Sequence, residues 1–354
     1  MAAGGTGGHL FPAQALAVAL RARGWRLILA TDARAAEHAK AFPAERVVAL
    51  PVATWRGRDP AALLRAGLTV AAGVRAGRRL IGEVAPDLTV GFGGYPSLPA
   101  MLAAVSLGRP TLIHEQNAVM GRANRLLASH VTAVACGFES LAKAPARAIA
   151  GMTVTGNPVR PEIADLAGRG YEAPRGRIHI LATGGSQGAR LLSERIPAAI
   201  AALPEPLRRR LIVSQQSRPE CLEAARAIYA EAGVEAETAS FFADMARRLH
   251  QAHLVIGRAG ASTVTEVCTV GRPSLLIPLG VALDDDQGQN ARLLAEAGAA
   301  LVLREGELDR LGPMLEGLLN EPARLTAMAA AAAARARPDA AERLADLVER
   351  LASV

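Results

Sequence analysis

The stretch Gly4-Gly5-Thr6-Gly7-Gly8-His9, running into Leu10-Phe11-Pro12 and then an Ala/Leu-rich segment, decides how the chain is to be read. Glycines at four of these positions leave backbone N–H groups uncovered by side chains. Where such a loop opens a helix, those groups and the helix dipole form a seat for an anion, most often a phosphate. A dinucleotide fingerprint does not fit, because reading G-x-G-x-x-G from Gly5 puts Leu10 at the third glycine. No Lys-Ser/Thr pair follows to make a P-loop either. Alone, the loop could be no more than a tight turn. His9, at its junction with the helix, adds an imidazole and so couples phosphate binding with proton transfer.

Outward from this loop, apolar runs alternate with helical patterns almost from end to end. The spacing predicts strands at Arg26–Thr31, Arg46–Leu50, Leu88–Phe92, Pro110–Glu115, Val131–Gly137 and Met152–Gly156, with helices between them, the first over Pro12–Arg23. It then predicts strands at Ile178–Thr183, Leu211–Ser214, Leu254–Ile256, Ser274–Pro278 and Ala300–Leu303. This βαβ rhythm implies an α/β fold with parallel sheets covered on both faces. The second half opens as the first does, with Ile178–Thr183 running into Gly184-Gly185-Ser186-Gln187-Gly188-Ala189. We therefore expect two Rossmann-like doubly wound domains: residues 1–157, residues 158–337, and a last helix over 338–354. A ligand is expected between them, at the carboxyl ends of both sheets. One oddity is that only Met1-Ala2-Ala3 precede the glycine loop, where a strand belongs. Either that strand is a stub or the natural start lies upstream.

Bulk properties agree with this organisation. A chain of 354 residues with 51% hydrophobic content is long for one core and suits two domains. The longest apolar stretches are broken well short of 18 residues, so no transmembrane helix is expected, and no cleavable signal is expected before the loop. The net charge is +7, and Lys40 and Lys143 are the only lysines. Arginine suits phosphate recognition through its planar fork, although such a bias can equally reflect genome composition. With aromatics at 3% and no basic run interleaved with them, nucleic acid is not an expected partner. Cys136, Cys221 and Cys268 lie far apart without metal-ligand spacing and read as buried thiols of a reducing compartment.

Further segments carry chemistry. Gly91-Phe92-Gly93-Gly94-Tyr95-Pro96-Ser97 is a second anion nest between strand and helix. His114-Glu115-Gln116-Asn117 ends a strand with four polar groups, at least one of which should face the ligand; His114 itself reads equally well as a core histidine. No second histidine follows it at helical spacing, so no metal site is expected. Gly156-Asn157-Pro158-Val159-Arg160 offers an arginine for a diphosphate or a base carbonyl. In Gly257-Arg258-Ala259-Gly260-Ala261-Ser262-Thr263-Val264-Thr265-Glu266, a glycine turn leads into a helix whose Glu266 can accept two hydrogen bonds from a ribose diol; a helix-start acid is the plainer explanation. Asp284-Asp285-Asp286-Gln287-Gly288-Gln289-Asn290 sets acids and amides at another helix start, which suits hydroxyl-rich ligands, though N-capping also explains the aspartates.

Taken in order, GGTGGHLFPA, GFGGYPS, HEQN, GNPVR, GGSQGA, FADM, GRAGASTVTE and DQGQNA resemble the motifs of the MurG family, the cytoplasmic peptidoglycan glycosyltransferases with the two-domain GT-B fold. The likeness spans about Gly4 to Ala300. It implies inverting transfer of N-acetylglucosamine from UDP-GlcNAc to the MurNAc 4-hydroxyl of lipid I, giving lipid II, with no metal or other cofactor. By the same resemblance Ser186 and its loop hold the donor diphosphate. Glu266 holds the ribose, within a donor segment that includes Ala261, Ser262, Thr263, Val264 and Thr265. The Phe242 backbone meets the uracil, Arg160 supports the nucleotide, and Ala261, Gln287 and Asn117 address the sugar. Thr6, Gly7 and Gly8 complete the donor contacts, and Gly5, Gly93, Gly94 and Tyr95 receive the acceptor diphosphate. Two departures stand out: Asp286 occupies a position usually histidine or glutamine, and Phe242 replaces an aliphatic residue.

His9 is the expected base for the acceptor hydroxyl, with a phosphate contact as its other possible role. A lipid acceptor implies a peripheral protein on the cytoplasmic face of the anionic inner membrane, with cell-wall and division proteins as partners. Trp55, Leu63, Leu64, Leu68, Val70 and Val74, interspersed with Arg56, Arg58, Arg65, Arg75, Arg78 and Arg79, read as an apolar patch with a basic fringe or as an ordinary amphipathic helix. The competing readings are another GT-B glycosyltransferase with a lipid or metabolite acceptor, a UDP-GlcNAc 2-epimerase, and a non-catalytic nucleotide-sugar-binding module. The epimerase should carry several cleft acids and histidines that are not evident.

Overall fold

The computed structural model describes residues 1–39, 42–53, 59–185, 188–280 and 284–353. The chain divides into two compact units, one formed by Met1–Arg160 with Asp339–Val354 and the other by Pro161–Pro338.

The first unit carries β1 (Ile28–Thr31), β2 (Arg46–Ala49), β3 (Thr89–Gly91), β4 (Thr111–Glu115), β5 (Ala133–Cys136) and β6 (Met152–Val154). Pairing is parallel, in the orders β1-β2 and β3-β4-β5-β6. The gap between β1 and β3 is filled by Met1–Ala3. Ala2 bridges Ala30 on one side and Gly91 on the other, with its amide on the Val90 carbonyl at 2.7 Å and its carbonyl taking the Phe92 amide at 2.9 Å. Met1–Ala3 thus occupy the place of a first strand in the sheet. Ala2 and Ala3 are fully buried, each joining the apolar cluster on a different face of the sheet, where only small side chains fit. Counted with the stub first, the order is 3-2-1-4-5-6-7, and the direction of winding reverses between the stub and β3.

Alternate residues of each strand serve opposite faces. Leu112 and Ala135 join one apolar cluster with Leu16 and Leu20 of the helix Gly7–Ala22. Ile113, Val134 and Cys136 join another with Leu80 of the helix Pro60–Val84 and Met101 of the helix Leu98–Ser106. The last helix, Ala340–Ala352, belongs to the first of these clusters through Leu344, Ala345, Leu347 and Val348. Arg23 fastens it from the opposite element, bonding Asp346 at 2.7 Å, Glu349 at 2.9 Å and also Glu342.

The second unit holds β7 (Ile178–Thr183), β8 (Leu211–Gln216), β9 (Glu235–Ala239), β10 (Leu254–Gly257), β11 (Ser274–Leu276) and β12 (Ala300–Val302), all parallel in the order β12-β11-β10-β7-β8-β9. Renumbered within the unit this is 3-2-1-4-5-6, the order of dinucleotide-binding sheets, with the reversal between β7 and β10. Its core gathers Ile178, Ile180, Leu211 and Val213 with Leu192 and Ile196 of the helix Arg190–Ala201 and Leu315 of Leu311–Leu319.

The first helix and one strand depart from the sequence reading. The first helix begins at Gly7, not Pro12, with Thr6 as its extended N-cap, so Gly7, Gly8 and His9 form its first turn and only Gly4–Thr6 remain loop. Strand β9 was not expected at all: Glu-Ala-Glu-Thr-Ala has little apolar content, and it forms at the edge of the sheet, where only one side needs a partner.

Candidate active site

In an open parallel sheet, ligands bind beyond the carboxyl ends of the strands, at the point where the winding reverses. In the first unit that point is flanked by the loop after the stub and the loop after β3. These are the segments Gly4–His9 and Gly93–Tyr95. They touch each other: Gly94 has φ +70° and ψ 158°, and a Cβ there would lie 3.0 Å from His9 Cδ2 and 3.2 Å from His9 Nε2. Only glycine lets the second nest close against the imidazole edge.

The other edge of the His9 ring is held from β4. His9 Nδ1 lies 3.0 Å from Gln116 Oε1, and Gln116 Nε2 lies 3.1 Å from His114 Nδ1 and 2.9 Å from the His114 carbonyl. His114 Nε2 in turn bonds the Gly156 carbonyl at 2.9 Å. His114 is wholly buried, and burial pushes its pKa down to about 4, so it is neutral at physiological pH. The HEQN segment thus divides its labour. His114 is a core histidine; Gln116 carries the core to His9. Glu115, also buried, turns its carboxylate the other way, accepting from the amides of Asn117 at 3.0 Å and Gly121 at 2.9 Å and from Asn124 Nδ2 at 2.8 Å. Asn117 is placed by that contact. Asn157 donates to the Gln116 carbonyl at 2.8 Å, so GNPVR braces HEQN. Arg160 lies over the Phe11 ring, 5.2 Å from its centroid, two residues beyond His9. Thr6, Gly5 and Tyr95 are half-buried around the same edge.

In the second unit the reversal lies between the loops after β7 and β10. After β7, the amides of Gly184, Gly185 and Gly188 are engaged within the protein, by Gln216 Oε1 at 3.2 Å, Thr183 Oγ1 at 3.2 Å and the Gly185 carbonyl at 3.0 Å. This loop therefore offers fewer donors than its glycines suggest; Ser186 and Gln187 lie outside the described residues. After β10, Gly260 caps the helix Ala261–Val270. Ser262, Thr263, Thr265 and Glu266 keep part of their surface, whereas Ala261 and Val264 are buried. The N-terminal amides of this helix precede its first intrahelical bonds and face the strand edge.

Neighbouring segments lock this turn in place. Asn290 Nδ2 donates to the Ala259 carbonyl at 3.0 Å, joining the helix Asp286–Glu296 to it. Buried Arg258 donates to the Ile277 and Pro278 carbonyls, both at 3.1 Å, and pairs with Glu305 at 2.6 Å. Gln287 accepts the Leu279 amide at 3.1 Å. After β9, the Phe242 ring is buried beneath the Arg248 guanidinium, 3.9 Å away, and Arg248 also holds Ser214, Glu237 and Asp244. The Phe242 side chain is thus turned inward.

Gln116 and Arg248 were not singled out from sequence. For Gln116 the signal was its i, i+2 spacing from His114 on one strand end. For Arg248 none was available.

Comparison with known proteins places this geometry. Residues 1–136 match the glycosyltransferase family 28 N-terminal domain and residues 179–344 the glycosyltransferase family 28 C-terminal domain. The chain is 59% identical over 356 residues to the UDP-N-acetylglucosamine--N-acetylmuramyl-(pentapeptide) pyrophosphoryl-undecaprenol N-acetylglucosamine transferase of Phenylobacterium zucineum (strain HLK1), covering 99% of this chain and 98% of that protein. Among solved structures it is similar to Acinetobacter baumannii MurG, with TM-score 0.78, 32% identity and coverage of 98% of this chain and 97% of that one. It is also similar to a UDP-N-acetylglucosamine 2-epimerase, with TM-score 0.64, 13% identity and coverage of 97% and 94%. The last likeness is one of fold alone.

Proposed function

The chain belongs to glycosyltransferase family 28 and has the GT-B fold, and we infer that it transfers N-acetylglucosamine from UDP-GlcNAc to the MurNAc 4-hydroxyl of lipid I, forming lipid II. The observation that carries this reading is the near full-length identity with a relative named for that transfer.

The acceptor oxygen attacks the anomeric carbon of the donor sugar as the bond to UDP breaks on the opposite face, so the configuration inverts. The hydroxyl proton passes to His9, and UDP leaves with the electron pair of the broken bond. General-base help of this kind contributes roughly 10²–10⁴-fold. Supporting the role is the place of His9, at the strand edge where the winding reverses, with one ring edge held by Gln116 and the other against Gly94. Gly5, Gly93, Gly94 and Tyr95 receive the acceptor diphosphate. Charge on the departing UDP is met by Ser186 and the first-turn amides of Ala261–Val270, where a helix dipole favours anions. Glu266 takes the ribose diol, at the end of the donor segment Ala261–Thr265; the Phe242 backbone takes the uracil, and Ala261, Gln287 and Asn117 the sugar. Thr6, Gly7, Gly8 and Arg160 keep the donor roles that the family resemblance gives them.

The finer setting belongs to the same reading: a peripheral protein on the cytoplasmic face of an anionic inner membrane, in contact with cell-wall and division proteins. No helix among the described residues is long and apolar enough to cross a membrane. What supports membrane contact is the helix Pro60–Val84, where Leu63, Leu64 and Leu68 are exposed beside Arg65, Arg75, Arg78 and Arg79. Trp55, Arg56 and Arg58 lie outside the described residues.

Incubation with UDP-[14C]GlcNAc and a lipid I analogue tests the reaction. Label should move to the lipid with stoichiometric UDP. UDP release without transfer would point to epimerase-type chemistry, and donor binding without turnover to a binding module; either would overturn the reading.

A further inference from the structure

The hydrogen-bond chain behind His9 has a direction. At its inner end the Gly156 carbonyl can only accept, so His114 Nε2 carries the proton of that ring. Neutral His114 then has a bare Nδ1, which must accept from Gln116. The same amide nitrogen of Gln116 also meets the His114 carbonyl, a second pure acceptor. Both contacts demand N–H, so the amide cannot be flipped, and its oxygen is the end that faces His9 at 3.0 Å. An oxygen there bonds His9 only if Nδ1 carries hydrogen. Burial makes the direction firm: His114 is 0% and Gln116 2% exposed, so each lost bond would strand a polar group away from water. Asn157 adds a hold on the Gln116 backbone.

We propose that Gln116 fixes the tautomer of His9, keeping its proton on Nδ1 and leaving the Nε2 lone pair to take the acceptor proton. Gln116 touches no substrate; it is a positioning residue acting through His9. Its partner role differs from that of a carboxylate. An amide orients the imidazole by geometry alone and sets no full charge beside it, and the nearby carboxylate, Glu115, is occupied by Asn117, Gly121 and Asn124. The ring edge carrying Nε2 is the one against Gly94, in the nest assigned to the acceptor diphosphate. The catalytic consequence rests on His9 being the base; the tautomer does not.

Nitrogen-15 NMR of histidine-labelled full-length protein, at mildly alkaline pH where imidazoles are neutral, reads the tautomer directly. The His9 signals are assigned by their loss in His9→Ala. We expect hydrogen on Nδ1 and none on Nε2. The opposite pattern in the wild type overturns the proposal, whether or not any variant folds. In Gln116→Leu the Nδ1–H form should give way to Nε2–H, and kcat should fall on the order of 10²–10⁴-fold, as a misplaced tautomer does in hydrolytic triads, with the KM for UDP-GlcNAc within about twofold. Unchanged tautomer and kcat in that variant would also overturn it. Hydrogen on Nδ1 together with full turnover in His9→Ala would instead sink the base assignment and leave the tautomer standing.

Discussion

Replacing Gly94 by alanine should damage both stability and turnover, and the two effects can be separated. At φ +70° and ψ 158°, Gly94 lies in a region of backbone space that is essentially reserved for glycine. An L-residue there costs about 1–3 kcal/mol. The added methyl would also lie 3.0 Å from His9 Cδ2 and 3.2 Å from Nε2, close enough that the ring must yield by a few tenths of an ångström. His9 cannot yield freely, because its far edge is tied to Gln116 at 3.0 Å. Lengthening that bond costs about 1 kcal/mol more. We therefore expect a stability loss of roughly 2–4 kcal/mol. A catalytic group displaced by 1 Å can cost about a hundredfold, so a smaller shift should lower kcat by about ten- to a hundredfold. The control is Gly24→Ala, where φ is +86° and nothing lies within 4 Å of the new methyl. It should lose about 1–2 kcal/mol with no change in kcat. Urea denaturation gives the stabilities and the lipid I assay the rates. If Gly94→Ala turns over within twofold of wild type, the close seating of His9 against the second nest is refuted.

Other outcomes follow from the same geometry. His9→Ala should lower kcat at least about a hundredfold while UDP-GlcNAc affinity, read by calorimetry, stays near normal; retained turnover would remove His9 as the base. His114 favours its neutral form when folded, since burial lowers its pKa from 6.5 to about 4. Below pH 6.5 the unfolded chain takes up a proton that the folded chain refuses, so stability should fall by roughly 3 kcal/mol as pH drops toward 4. Half-buried His253, also lowered to about 4, adds to the trend. Denaturation at several pH values should show His114→Gln with a shallower slope than wild type, by up to about 1.4 kcal/mol per pH unit. Flotation with anionic and neutral vesicles tests the basic fringe of Pro60–Val84, each arginine near an anionic leaflet being worth about 1 kcal/mol; equal binding to both vesicles would reject an electrostatic contribution.

The regular part of the molecule was legible because burial on both faces writes itself into sequence. Ile178–Thr183 reads as a strand without help, being apolar and β-branched inside a covered sheet. Strand β9 does not, because an edge strand with one partner needs little apolar surface. The stub at Met1–Ala3 is too short to show a period, and its identity as a strand comes from neighbours on both sides. Gly7 and Gly8 read as loop by propensity, yet form the first turn of the helix, where the amides have no intrahelical partner and the interior penalty for glycine does not apply in full. At the site, the glycine nests and the GRAGAS turn were visible as local motifs. The bond between His9 and Gln116 was not, since 107 residues separate its partners and only the fold brings them together.

The last helix has a consequence for how the protein is made. Leu344, Ala345, Leu347 and Val348 complete the cluster that covers one face of the first sheet. Yet residues 161–338, an entire second unit, are synthesised in between. At about 5–20 residues per second, the first unit waits roughly ten to forty seconds on the ribosome with that face uncapped. The unit whose synthesis starts first is thus the last to be finished. While the nascent chain grows, the apolar surface of Leu16 and Leu20 is open to whatever binds it, so chaperone occupancy should peak there and end when the final turns emerge.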